Sequence, residues 1–230
     1  MPRPRRVFMQ PPTLLAISES HHVMVNGVMH HDSMDHPESD PDAKKVVCYF
    51  TSWAYYRRGE GKFTPADIEA DLCTHIVYAF ASLDPDEGTS VISQDTGVDF
   101  DRGYYKGVTD LRSRGKKVML ALGGWVDSAR SSDKYSAMVN DPAKRSMFVK
   151  NVVEYLLENN FDGMEFDWEY PVCWQMDCSI GNPNDRENFS QLIRELGQAF
   201  KQRGLILSVA VSSSSQVINR CDHCNAFLLS

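Results

Sequence analysis

The chain has 230 residues, 42% of them apolar and 24% charged, and a formal charge of −7 at pH 7 from 24 Lys and Arg against 31 Asp and Glu. This composition sustains a buried core and excludes wholesale disorder, while the acidic balance argues against a nucleic-acid partner and against an anionic membrane surface. No apolar run approaches the ~18 residues of a membrane span, so the expected partners are uncharged or cationic.

Residues 1–44 read as a disordered leader or linker. They hold five of the seven histidines (His21, His22, His30, His31, His36) and four prolines within the first twelve residues. Arg3, Arg5 and Arg6 precede an apolar stretch, but Gln10, Pro11 and Pro12 interrupt it, so there is no clear signal peptide. From Lys45 the pattern changes to short apolar runs alternating with helical periods. Residues 46–53 (VVCYFTSW) read as a buried strand, and Thr64-Pro65 offers an N-cap and first-turn pair for a short helix to about Leu72. Residues 74–82 (THIVYAFAS) form a second strand, and Tyr104, Tyr105, Val108 and Leu111 mark a helix ending at Gly115. Residues 117–122 (KVMLAL) are a third strand, stopped by Gly123-Gly124, and Asp141-Pro142 opens a helix with Phe148, Val152, Tyr155 and Leu156 on one face. A fourth strand covers 161–169. Asn184 with Glu187 looks like a capping box for a helix carrying Phe189, Leu192, Ile193, Leu196 and Phe200, and residues 205–211 give a fifth strand.

Strands that are apolar on both faces, each followed by a helix or long connection, imply a parallel sheet of βα units. Periodicity alone does not distinguish a closed barrel from an open doubly wound sheet. The phosphate-loop patterns GxGxxG and GxxxxGK[ST] are absent. Polar and aromatic residues instead gather where the strands end, at Trp53, Ser82, Trp125, Glu169 and Tyr170, the face on which (β/α)₈ barrels build active sites.

The fourth strand carries the strongest chemical signal. In FDGMEFDWEYP, Glu165, Asp167 and Glu169 fall on one face at steps of about 6.6 Å, while Phe161, Met164, Phe166 and Trp168 supply the other. Carboxylates lined up on a buried strand repel one another and resist desolvation. A solvated strand face and a divalent-metal site remain open, and a proton-sharing general-acid site accounts best for the pattern.

At these residues the sequence resembles the family 18 glycoside hydrolases, the chitinase family, whose DxxDxDxE motif ends the fourth strand of a (β/α)₈ TIM barrel. The match falls on Asp162, Asp167 and Glu169, with Glu165 in place of the usual Asp. CYFTSW, YAFA and KVMLALGGW resemble the first three strands of the family, and PVCWQMDC at residues 171–178 resembles a loop of arthropod chitinases. The resemblance implies that Glu169 is the general acid. The N-acetyl oxygen of the substrate acts as nucleophile, giving an oxazolinium intermediate with net retention, a route distinct from the two-carboxylate scheme. Asp167 orients the acetamido group, and Glu165 shares a proton with Asp167. The extra methylene of Glu165 sets its carboxyl beyond the usual position, which implies reduced activity or a shifted pH optimum. Trp53 and Trp125 line sugar subsites, with Tyr49, Phe80, Gly124 and Tyr170 near the reacting sugar, and no cofactor or metal is implied. The family's animal members bridge the pair matching Cys48 and Cys73, which start neighbouring strands here; two buried free thiols are the alternative. Cys173 and Cys178 flank a short loop that a second disulfide can close, and the pairing of Cys221 and Cys224 stays open. Bridges imply an extracellular or secretory setting.

Five strands stand where a closed barrel has eight, so the expectation is a partial chitinase-like barrel over 45–220, truncated after about the fifth strand, with a non-family tail at 221–230. The implied function is hydrolysis of β-1,4 N-acetylglucosamine linkages in chitin or its oligosaccharides. A non-catalytic chitin-binding protein and an inactive fragment are the alternatives.

Overall fold

The computed structural model describes residues 23–24, 44–129 and 132–221. Most of the expected leader and of the 221–230 tail, with the Cys221 and Cys224 side chains, lies outside the described residues.

All five expected strands form: β2 (Val47–Thr51), β3 (His75–Leu83), β5 (Lys117–Gly123), β6 (Gly163–Asp167) and β7 (Ile206–Val209). They pair in parallel and in chain order, β2-β3-β5-β6-β7. A doubly wound sheet reverses strand order at a switch point. Here each strand lies beside its predecessor, which is the arrangement of successive units of a (β/α)₈ barrel. Two short antiparallel additions complete the sheet: β1 (Val23–Met24) on β7, and β4 (Val91–Ser93) on the end of β3.

Helices cover the outer face. α1 (Tyr104–Thr109) follows β4, and α3 (Lys134–Val139) and α4 (Pro142–Glu158) link β5 to β6. Asp141 caps α4, its Oδ1 accepting from the backbone N–H of Ala143 at 2.8 Å and of Lys144 at 3.2 Å, so the Asp-Pro start works as its residue types dictate. α5 (Asp185–Lys201) buries Phe189, Leu192, Ile193, Leu196 and Phe200 against the sheet. Two expectations are corrected. Residues 64–72 form two separate 3₁₀ turns, Pro65–Asp67 and Ala70–Leu72, because too few apolar positions exist there to anchor a longer helix. The Asn184–Glu187 capping box is not made: Asn184 has helical φ/ψ and its side chain caps nothing.

The period-2 alternation splits the buried residues into two layers. Ile76, Tyr78, Val118, Leu120, Leu122, Met164, Phe166, Leu207 and Val209 join the large cluster with the helices. Val77, Ala79, Met119, Ala121 and Ile206 form a smaller cluster on the inner face, with Tyr49 and Phe80 against it. Disulfides join Cys48 to Cys73, tying β2 to the start of β3, and Cys173 to Cys178, closing the loop after β6.

Candidate active site

Strand parity builds the site. Met164 and Phe166 face the helices, so Glu165 and Asp167 must face the inner layer, where they are 1% and 7% exposed. One row across the sheet runs Thr51, Ala79, Ala121, Glu165, Ser208. Alanines on one side leave Glu165 room, and on the other side the Ser208 hydroxyl donates to Glu165 Oε2 at 3.3 Å. The first motif aspartate, Asp162, lies at the opposite end of the strand. Its Oδ2 accepts from the Val118 N–H at 2.8 Å and its Oδ1 from Arg112 Nε at 3.0 Å, so it holds β6 to β5 and takes no part in the site.

Asp167 pairs in register with Gly123, the last residue of β5. Gly123 has φ +118°, and a Cβ there would lie 2.3 Å from the Asp167 carbonyl oxygen. Only glycine allows the two backbones this close. At Gly124, φ +82°, a Cβ would meet the Phe80 ring at 2.9 Å. The pair of glycines therefore seats both Asp167 and Phe80.

Glu169 lies just past the end of β6, half-buried. Its N–H donates to Ser128 Oγ at 3.1 Å and its carbonyl accepts from the Gln175 N–H at 2.8 Å. Burial raises the pKa of its carboxyl, and a hydrogen bond with the Tyr170 side chain opposes the rise. The Tyr170 hydroxyl is itself pushed up to about 12, by burial first and by the neighbouring Glu169 charge. Both the Ala79–Phe80 and the Glu169–Tyr170 peptide bonds are cis.

Aromatic residues stand where the neighbouring strands β2 and β5 end. Trp53 is 44% exposed and stacks on Phe80, ring centroids 5.9 Å apart and planes 11° from parallel. Trp125, in α2 (Gly124–Asp127), is 48% exposed. Tyr49 is half-buried against the inner cluster. Of the expected site residues, β6 puts Glu165 and Asp167 on its inner face; the strand ends at Asp167, so Glu169, expected as the third carboxylate of the strand face, lies in a bend two residues beyond it. Phe80 joins Trp53 and Gly124 through the stack and the close ring contact. Trp174 packs against the large core cluster, its indole N–H donating to Asp185 Oδ2, at the start of α5, at 3.1 Å.

Three contributors were missed in the sequence. Ser208 is visible only once β6 and β7 are in register. Asp185 reads as a first-turn helix acid, yet it is 0% exposed and accepts from Ser136 Oγ at 2.6 Å and Asn140 Nδ2 at 2.8 Å. Gln175 sits in a loop without periodicity. Among the described residues, no group of three or more His, Cys, Asp or Glu side chains is placed to hold a metal ion, and no helix is long and apolar enough to cross a membrane.

The family model of Glycosyl hydrolases family 18 matches residues 45–228. The chain is 51% identical over 175 residues to probable chitinase 10 of Drosophila melanogaster, a match covering 76% of this chain and 8% of that protein. Catalytic domain 2 of the Ostrinia furnacalis group II chitinase superposes with TM-score 0.74 at 50% identity, over 76% of this chain and 45% of that one. A human protein described as a pseudo-chitinase with retained chitooligosaccharide binding, YKL-39, superposes with TM-score 0.63 at 30% identity, over 77% of this chain and 46% of that one. The chain thus spans less than half the length of each of these relatives. Sheet order, carboxylate strand and family match agree that this chain belongs to the family 18 glycosyl hydrolases and carries consecutive βα units of their TIM barrel.

Proposed function

We propose that the inner face of β6 hydrolyses β-1,4 N-acetylglucosamine linkages in chitin oligosaccharides, with retention and with assistance from the substrate's own N-acetyl group. The observation that carries this reading is Glu169: a half-buried carboxyl with a raised pKa two residues beyond the buried Asp167, its backbone N–H held by Ser128, the residue that follows the helix carrying exposed Trp125. A general acid works best when its pKa approaches the working pH, and burial moves Glu169 in that direction.

In the proposed reaction Glu169 gives its proton to the glycosidic oxygen as the bond to the anomeric carbon breaks. The acetamido carbonyl oxygen forms the new bond to that carbon, producing an oxazolinium ion. Asp167 accepts the acetamido N–H, aims the carbonyl and offsets the developing positive charge. Glu169, now a carboxylate, takes a proton from water, which opens the ring on the face the leaving group left. Glu165, held by Ser208, shares a proton with Asp167, since adjacent buried carboxyls resist ionising together. Trp53 and Trp125 offer flat apolar faces to pyranose C–H groups. Two disulfides support an extracellular or secretory setting for this chemistry.

The test is release of fluorophore from a chitobioside by the full chain and by Glu169→Gln. Turnover that falls about 10²- to 10⁴-fold in the variant supports the acid role. The human pseudo-chitinase supports a second reading, binding without turnover. Retention on chitin beads with no fluorophore released decides for it, and neither activity marks an inactive fragment.

A further inference from the structure

The loop after β6 grips Glu169 and Trp125 at once, and one residue makes both contacts. The Gln175 backbone N–H donates to the Glu169 carbonyl at 2.8 Å, and Gln175 Nε2 donates to the Trp125 carbonyl at 2.8 Å. On the other side, Ser128 Oγ accepts the Glu169 N–H at 3.1 Å. Ser128 directly follows α2, which carries Trp125, and its own N–H donates to the Gly124 carbonyl at 2.9 Å. The contacts close a ring: Glu169, Ser128, α2, Trp125, Gln175, and back to Glu169.

The loop itself is held from below. The Cys173–Cys178 disulfide closes it. Buried Asp185 accepts from Trp174 Nε1 at 3.1 Å and the Val172 N–H at 3.4 Å, and binds Ser136 and Asn140 on the α3 side. Val172, Gln175 and Met176 have φ of +66°, +46° and +72°, a backbone region unfavourable for side chains with a Cβ. Such conformations persist where surrounding contacts over-determine them.

We infer that Gln175 is a positioning residue that locks the Trp125 platform to the backbone of Glu169, so that a sugar resting on Trp125 is registered against the acid. The identity of what is registered rests on the proposed function; the lock is a property of the free protein. A hydrogen bond of this kind contributes a net factor of about 3- to 10-fold.

Gln175→Met keeps the side-chain length and the backbone bond to Glu169 and removes the donor to Trp125. Hydrogen exchange on the ligand-free full chain reads the lock directly. Amides of residues 124–129 and 169–178 should exchange about 3- to 10-fold faster in the variant, with α4 and α5 unchanged. Unchanged exchange in those two segments overturns the inference. Kinetics supply the second reading, through kcat/KM for tetra-N-acetylchitotetraose against a fluorogenic monosaccharide too short to lie over Trp125. The advantage of the long substrate should shrink about 3- to 10-fold while the short one stays within about 2-fold. Equal loss on both substrates means a purely structural role and also overturns the inference. If the wild-type chain turns over neither substrate, the hydrolase reading fails, and the exchange result alone decides the lock.

Discussion

Replacing Gly123 with alanine attacks the placement of Asp167 without touching a carboxylate. Gly123 has φ +118° and ψ −114°, a region essentially reserved for glycine, and holding alanine there costs about 1–3 kcal/mol. Its Cβ would lie 2.3 Å from the Asp167 carbonyl oxygen, 2.9 Å from the carbonyl carbon and 3.4 Å from the Tyr135 hydroxyl. The blocking atoms are strand backbone, so β6 must move away from β5, and overpacking of this kind costs about another 1–3 kcal/mol. The expected loss is about 2–6 kcal/mol. Urea denaturation reads it as a midpoint lowered by about 1–3 M for a slope near 2 kcal/mol/M. Folded Gly123→Ala should also lose turnover, since Asp167 is displaced with its strand. A loss under about 1 kcal/mol, with activity retained, would refute the claim that this contact seats Asp167.

Further outcomes follow from other parts of the site. Because burial raises the Glu169 pKa above its usual 4.5, its contribution to stability is fully present below that pH and fades as pH rises through the folded-state value. Glu169→Gln should therefore be more stable than wild type at neutral pH, and thermal melts should show the difference closing as pH falls below about 4. Asp185, 0% exposed, accepts from Ser136 Oγ and Trp174 Nε1, and Asp185→Ala removes that acceptor from both while Asn140 Nδ2 keeps the Ser136 carbonyl; a urea titration should show a loss of about 2–5 kcal/mol. Removing the Cys48–Cys73 bridge with paired alanines opens a loop of sequence separation 25 and should cost about 3.5 kcal/mol on loop entropy, with non-reduced peptide mapping confirming the wild-type bridge. Glu165→Asp draws the carboxyl back from Ser208; if relay geometry limits the rate, kcat rises about 5- to 150-fold with KM unchanged, whereas a change confined to KM would move residue 165 into substrate binding.

The parts of this architecture legible in the sequence are those governed by local period. The VVCYFTSW, THIVYAFAS and KVMLAL runs announce strands, and alternation in FDGMEFDWEYP puts Glu165 and Asp167 opposite Met164 and Phe166, as observed. Aromatic residues at strand ends marked the Trp53 and Trp125 surface for the same reason. Features that depend on neighbouring chain segments were hidden. Ser208 needs the β6–β7 register, and Gly123 reads as a strand stop until the Asp167 carbonyl is beside it. Asp185 is a first-turn acid in the sequence, where a charge at a helix start is ordinarily solvent-exposed; the donors of α3 and Trp174 bury it instead. The expected Asn184 cap fails beside it, because Asn184 already adopts helical φ/ψ. Short β4 carries too few residues for alternation to show.

The most direct measurement of the central claim, N-acetyl-assisted hydrolysis with Glu169 as acid, is the anomeric form of the first product. Proton NMR recorded while the full chain cleaves a chitooligosaccharide distinguishes α from β at the new reducing end before mutarotation mixes them. Two successive displacements at the anomeric carbon, first by the acetamido oxygen and then by water, preserve configuration, so the β anomer should appear first and the signal should vanish in Glu169→Gln. An initial α anomer, or cleavage unaffected by Glu169→Gln, would contradict the account.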